Sequence, residues 1–160
     1  MEQPAGNKIT GNPSSHPALS VKWVEDFPDI PLNRNEAYKL RVTSKGVEIE
    51  AITETGVYRA IQTLRQLTEK KGNGIAITGC EITDWPAFRI RGFMQDVGRT
   101  YISTDELKRE IAILARYKIN VFHWHLTENQ AWRLQSKVFP MLNDSVNTTR
   151  QPGKYYTLEE

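Results

Sequence analysis

Asn120–Arg133 reads NVFHWHLTENQAWR, and it follows RGFMQDVGR (Arg91–Arg99) by the length of one helix. The earlier stretch is a short apolar run ending in Asp-Val-Gly-Arg. The later one ends in two histidines, a carboxylate and amides. Between them Ser103 and Glu106 have the spacing of a capping box, in which each satisfies an amide the other leaves free. Leu107, Ile111, Leu114 and Ala115 then recur on one helical face. Strands over 92–97 and 121–126 with this helix between them form a βαβ unit, whose strands run parallel. Polar groups gathered past the C-terminal ends of consecutive parallel strands are how α/β barrels build active sites.

Outward from that unit, TDWPAF (Thr83–Phe88) breaks the pattern. Pro86 cannot donate to a sheet ladder and biases Trp85 toward extended backbone, so a domain boundary is expected between 84 and 85. Before it, Ala18–Val24, Ala37–Val42 and Val47–Ile52 read as strands. The last two are joined across Ser44-Lys45-Gly46 as a hairpin. A helix is expected from about Gly56 to Thr68, with Val57, Ala60, Ile61, Leu64 and Leu67 on its buried face. Gly72-Asn73-Gly74 is expected to end it, with Ile75–Ile82 as one further strand or two short ones. Residues 18–84 thus read as a small α/β domain, and 85–160 as the second domain. Residues 1–17 are polar, contain Gly and Pro, and lack an apolar core segment. They read as a flexible arm rather than an uncleaved signal peptide.

Composition narrows the classes further. A net charge of +2, with its adjacent basic pairs each beside a glutamate, gives nucleic acid nothing to hold. No apolar run approaches the ~18 residues of a membrane span. Cys80 is the only cysteine, so no internal disulfide can form.

Several side chains could carry chemistry. His123 and His125 alternate onto one strand face, opposite Phe122, Trp124 and Leu126. They are either interior hydrogen-bonded histidines or half of a metal site in a metal-dependent barrel hydrolase. Arg99, just past the first strand, can offer its fork to sugar hydroxyls or a carboxylate, or pair structurally with Asp96. Glu128, just past the second, can orient a histidine, touch substrate or stand solvated in its loop. Asp105-Glu106 resembles an acid/base pair, but it lies in a first helical turn and reads as capping. Trp132 and Arg133 read as loop support. Asn143-Asp144-Ser145 and Asn147-Thr148-Thr149 match the glycosylation acceptor pattern.

RGFMQDVGRTYISTDELKREIAILARYKINVFHWHLTENQAWRL resembles glycoside hydrolase family 20, the β-N-acetylhexosaminidases. EAYKLRVTSKGVEIEAITETGVYRAIQTLRQL resembles the small α/β domain that precedes the barrel in these enzymes. The resemblance implies an accessory α/β domain followed by the first βαβ portion of an incomplete (β/α)8 barrel. It implies a parent enzyme that is a retaining exo-hydrolase of terminal β-linked N-acetylglucosamine or N-acetylgalactosamine. In substrate-assisted catalysis the sugar's own acetamido oxygen attacks the anomeric carbon. An Asp orients that group, the adjacent Glu protonates the leaving oxygen, and no cofactor is expected.

By position, Arg99 matches the family arginine that grips the terminal sugar. Glu128 falls where the family has the first Asp of Asp-Asp-Gln, which supports a histidine behind the acid. Here that run is Glu-Asn-Gln, and the usual Ser-Arg-His is Gly98-Arg99-Thr100. The catalytic Gly-Gly-Asp-Glu occurs nowhere in the chain. The resemblance therefore implies that this chain alone is inactive. N-acetylhexosamine-terminated glycans are the expected partners, a periplasmic, secreted or lysosome-like setting is expected, and open strand edges favour self-association. A non-catalytic carbohydrate-binding module is the other alternative.

Overall fold

A computed structural model describes residues 8–9 and 18–160, so most of the expected N-terminal arm lies outside the described residues. The strands are β1 (Lys8–Ile9), β2 (Ala18–Trp23), β3 (Tyr38–Thr43), β4 (Gly46–Ala51), β5 (Thr68–Lys71), β6 (Gly74–Thr78), β7 (Cys80–Asp84), β8 (Gly92–Asp96), β9 (Val121–His125), β10 (Thr127–Glu128) and β11 (Ala131–Trp132). The two α-helices among the described residues are α1 (Glu54–Leu67) and α2 (Thr104–Arg116). Contacts divide the chain into one unit ending at Arg89 and another running from Ile90 to Glu160.

The first unit is built on a sheet in the order β2-β4-β3-β7. β3 and β4 form the expected hairpin, and β2 runs parallel to β4. Alternation sends Tyr38, Leu40, Val42, Val47, Ile49 and Ala51 to one face, where they are buried under Ala60 of α1. The polar alternates form a charge ladder on the other face. Lys22 meets Glu50 at 2.6 Å and Arg41 meets Glu81 at 2.8 Å. A largely buried ion pair, Arg59 to Glu36 at 2.9 Å, holds α1 against the 3-10 turn at Arg34–Glu36.

The end of α1 differs from the expected one. Gly72-Asn73 does not end α1. The helix stops at Leu67, because Thr68 turns extended and its hydroxyl donates to the Arg65 carbonyl. The chain passes directly into β5, and Gly72, at φ +59°, turns it into β6. The residues of β5, Thr-Glu-Lys-Lys, are all exposed. They carry no apolar alternation, so only pairing with β6 makes them a strand. β1 pairs on the other side of β6, so Lys8–Ile9 has a ladder partner.

In the second unit β8 and β9 pair in parallel, from Gly92 opposite Val121 to Asp96 opposite His125. α2 lies between them in sequence and begins with a complete capping box. The Glu106 carboxylate accepts from the Ser103 hydroxyl at 2.6 Å and from its amide at 3.1 Å. Ser103, chiefly through its hydroxyl, holds the Glu106 carboxyl below the ordinary range. The helix closes on Lys118 at φ +60°. Lys118 donates its amide to the Ala115 carbonyl and Ile119 to that of Leu114, which is a Schellman ending.

The core here is Val97, Leu107 and Tyr156, flanked by Phe122, Trp124 and Leu126 as their alternation predicts. Ile111, expected on the buried face of α2, is exposed. Leu107 is the helix's one buried residue, because a two-stranded sheet is too narrow to cover the flank on which Ile111 sits.

Candidate active site at the ends of β8 and β9

The period of a strand places Met94 and Asp96 on one face of β8, opposite His123 and His125 on the same face of β9. The last residue of each strand is therefore polar, and the two residues are register partners. Beyond them the chain turns so that Arg99 and Glu128 return over the strand ends. The Arg99 Nε lies 3.0 Å from Asp96 Oδ2, and its Nη2 lies 3.5 Å from Glu128 Oε1. Its main-chain amide donates to Asp96 Oδ1 at 3.1 Å. His125 Nε2 is 3.9 Å from the same Glu128 oxygen, and the Asn129 amide donates to Oε2 at 3.0 Å. The Arg99 side chain stays 62% exposed, so its guanidinium still has faces open to a ligand.

Four groups expected singly or in pairs thus form one cluster: Asp96, Arg99, His125 and Glu128. Such a cluster can grip vicinal hydroxyls through the guanidinium fork and its carboxylates, and can orient an imidazole through Glu128. Asp96, His125 and Glu128 also hold donor atoms within 4.8 Å of one another, the one such grouping among the described residues. His123 lies outside it, with its ring 5.6 Å edge-on from that of His125. The His-x-His pair is therefore not the set of donors that converges.

Gly98 sets the spacing. A Cβ added there would stand 2.8 Å from the Glu128 Cβ and 3.2 Å from Asp96 Oδ1. A side chain at 98 would push Glu128 away, so close approach of the two loops requires glycine.

Arg133 supports the loops, as its sequence position suggests, and on a larger scale than local reasoning foresees. It is fully buried, and its guanidinium donates only to main-chain carbonyls. Burial pushes it down from its ordinary value, although an arginine does not lose its proton in a folded protein. The partners at Arg150, Gln151 and Lys154 left no signal in the sequence, because they lie far along the chain in a segment with no periodicity. Asn143 and Asn147, the two glycosylation-pattern asparagines, spend their amides internally. Asn143 donates to the carbonyls of Trp132 and Leu134, and Asn147 to that of Met141.

Against this geometry, comparison with known proteins is specific. The family described as "Glycosyl hydrolase family 20, domain 2" matches residues 4–85, and the one described as "Glycosyl hydrolase family 20, catalytic domain" matches residues 88–160. The chain is similar to a beta-hexosaminidase of Porphyromonas gingivalis, with 40% identity across 99% of this chain and 20% of that protein. It is similar to a beta-N-acetylhexosaminidase of Cellulomonas fimi, with 37% identity across 87% of this chain and 29% of that one. Among solved structures it resembles the beta-N-acetylhexosaminidase of Bacteroides fragilis, with 33% identity and a TM-score of 0.76 over 88% of this chain and 28% of that one. It also resembles the Vibrio harveyi exo beta-N-acetylglucosaminidase in complex with N-acetylglucosamine, at 32% identity and a TM-score of 0.72 over 88% and 23% of the two chains. The chain spans between 20% and 29% of the length of these two curated relatives.

Proposed function

The chain belongs to glycosyl hydrolase family 20, and on that premise we propose that it carries the accessory domain and the opening strand–helix–strand of a barrel from a retaining exo-β-N-acetylhexosaminidase. In this reading residues 18–84 are the accessory domain and 85–160 the start of the catalytic domain. Arg99 grips hydroxyls of a terminal N-acetylhexosamine. Glu128 is a supporting carboxylate that orients a histidine of the site. The whole enzyme cleaves terminal β-linked N-acetylglucosamine or N-acetylgalactosamine with the substrate's acetamido group as nucleophile.

One observation carries the reading. Arg99 and Glu128, twenty-nine positions apart, meet at 3.5 Å over the C-terminal ends of neighbouring parallel strands, where barrel enzymes place substrate. The chain holds no Gly-Gly-Asp-Glu run. Without the general acid it forgoes a factor of ~10²–10⁴ in rate, so by itself it does not hydrolyse a chromogenic N-acetylglucosaminide. The direct test is titration of the chain with N-acetylglucosamine, followed through the main-chain amide resonances of residues 96–98 and 125–129, which wild type and Arg99→Ala share. A saturable response that Arg99→Ala abolishes supports the assignment. A response mapping elsewhere, or none, overturns it.

A second reading follows from the convergence of Asp96, His125 and Glu128, three side chains that can ligate a divalent cation. Arg99 already pairs with both carboxylates of that set, so a cation would have to compete with its guanidinium, which favours the sugar. Zinc binding lost in His125→Ala but kept in His123→Ala would reverse the preference.

A further inference from the structure

Arg133 presents five N–H groups, and each has its own acceptor. Nε donates to Val97 O at 2.9 Å, and Nη2 to Gly98 O at 3.3 Å and Arg150 O at 2.9 Å. Nη1 donates to Gln151 O at 3.2 Å and Lys154 O at 2.7 Å. These carbonyls belong to two segments, the tip of β8 and the stretch 150–154. That stretch in turn holds the backbone on the far side of Arg99. Arg150 Nη1 donates to Arg99 O at 3.3 Å, and the Tyr101 amide donates to Gln151 Oε1. The ring of Tyr101 lies 6.0 Å from the buried guanidinium itself. On the near side, Gly98 donates to His125 O at 3.3 Å and abuts Glu128. The backbone from 98 to 101 is thus fixed by Arg133 or by a segment that Arg133 fixes.

We infer that Arg133 is a positioning residue, which clamps Gly98–Tyr101 so that the Arg99 guanidinium meets Asp96 and Glu128 over the strand ends. Its value to sugar binding rests on the role proposed for Arg99, whereas the clamp itself stands on geometry alone. Lysine cannot replace it, having three donors on a point charge in place of a planar fork of five. The competing account is that Arg133 only fills a cavity. Its loss would then weaken the whole second unit evenly and leave the pairing of Arg99 untouched.

Native-state hydrogen exchange on the full chain separates the two accounts, comparing wild type with Arg133→Lys and Gln151→Ala. The clamp predicts that exchange at the Arg99 Nε–H and the Tyr101 amide rises about tenfold in Arg133→Lys, ahead of amides in the middle of α2. Equal acceleration throughout residues 90–160 would overturn it. Gln151→Ala leaves Arg133 in place and removes one link, so it decides the matter if Arg133→Lys fails to fold. Faster exchange at the Arg99 Nε–H with α2 unchanged supports the clamp, and an unaltered Arg99 refutes it. Parallel titration with N-acetylglucosamine keeps the two proposals apart. A wild-type chain indifferent to the sugar defeats the role given to Arg99 and leaves the exchange result standing.

Discussion

Gly98 lies so close to Glu128 that one methyl group is too much: its Cβ would sit 2.8 Å from the neighbouring Cβ. Overpacking of this kind costs about 1–3 kcal/mol. Gly98→Ala is expected to lower stability by that amount in denaturant melts and to lengthen the 3.5 Å approach of Arg99 to Glu128 in a crystal structure. An unchanged approach would mean that the loops yield elsewhere. In the first unit, Ile49 is fully buried at the centre of the sheet. Ile49→Ala removes most of a core side chain and is expected to cost about 2–5 kcal/mol, measured as a shift in the unfolding midpoint at constant m-value.

At the scale of elements, α2 shows how local signals govern a boundary. Ser103 and Glu106 satisfy each other's amides at its start, and Ser103→Ala is expected to cost about 1 kcal/mol. The contribution of Glu106 also has a pH sign. Its carboxyl titrates below the ordinary range when folded, chiefly because it accepts from the Ser103 hydroxyl. The stability it adds is therefore present above the unfolded pKa of ~4.3 and is lost as pH falls through the lower folded value. Circular dichroism between pH 5 and 2 should show Glu106→Gln, which keeps the box without a titrating group, melting less steeply with acid than wild type. At the other end Lys118 occupies the left-handed position that a glycine fills without strain. Lys118→Gly is expected to stabilise the unit by about 1 kcal/mol, and a loss of stability would show that contacts of the lysine outweigh its backbone strain.

For the molecule as a whole, the two units differ in what they bury. The first has a continuous core of seven buried residues, six from β3 and β4 and Ala60 from the helix above them, and the second a core of three. Hydrogen exchange should accordingly be slowest in β3 and β4. Among the described residues, neither β8 nor β9 pairs with a third strand. Nearby Met94, Val121, Ile113 and Tyr117 are exposed. Open edges flanked by apolar side chains template further pairing, so sedimentation should show association that rises with concentration. A clean monomer at high concentration would mean that the edges are protected by some other means.

The sequence by itself determined the elements whose signals are short-range. The capping box of α2, the hairpin at Ser44-Lys45, the buried face of α1 and the alternation of Phe122, Trp124 and Leu126 each depend on residues within a few positions of one another. It also held the family motif, and with it Arg99 and Glu128 as candidates. Tertiary structure alone decided that β5 is a strand, since four exposed polar residues have no preference until β6 pairs with them. It alone brought Asp96 and His125 into one cluster with Arg99 and Glu128. It alone gave Arg133 five carbonyls drawn from segments up to thirty-six positions away. Hydrogen-bond acceptors on the main chain carry no residue identity, so a clamp built from them leaves its donor visible in the sequence and its purpose invisible.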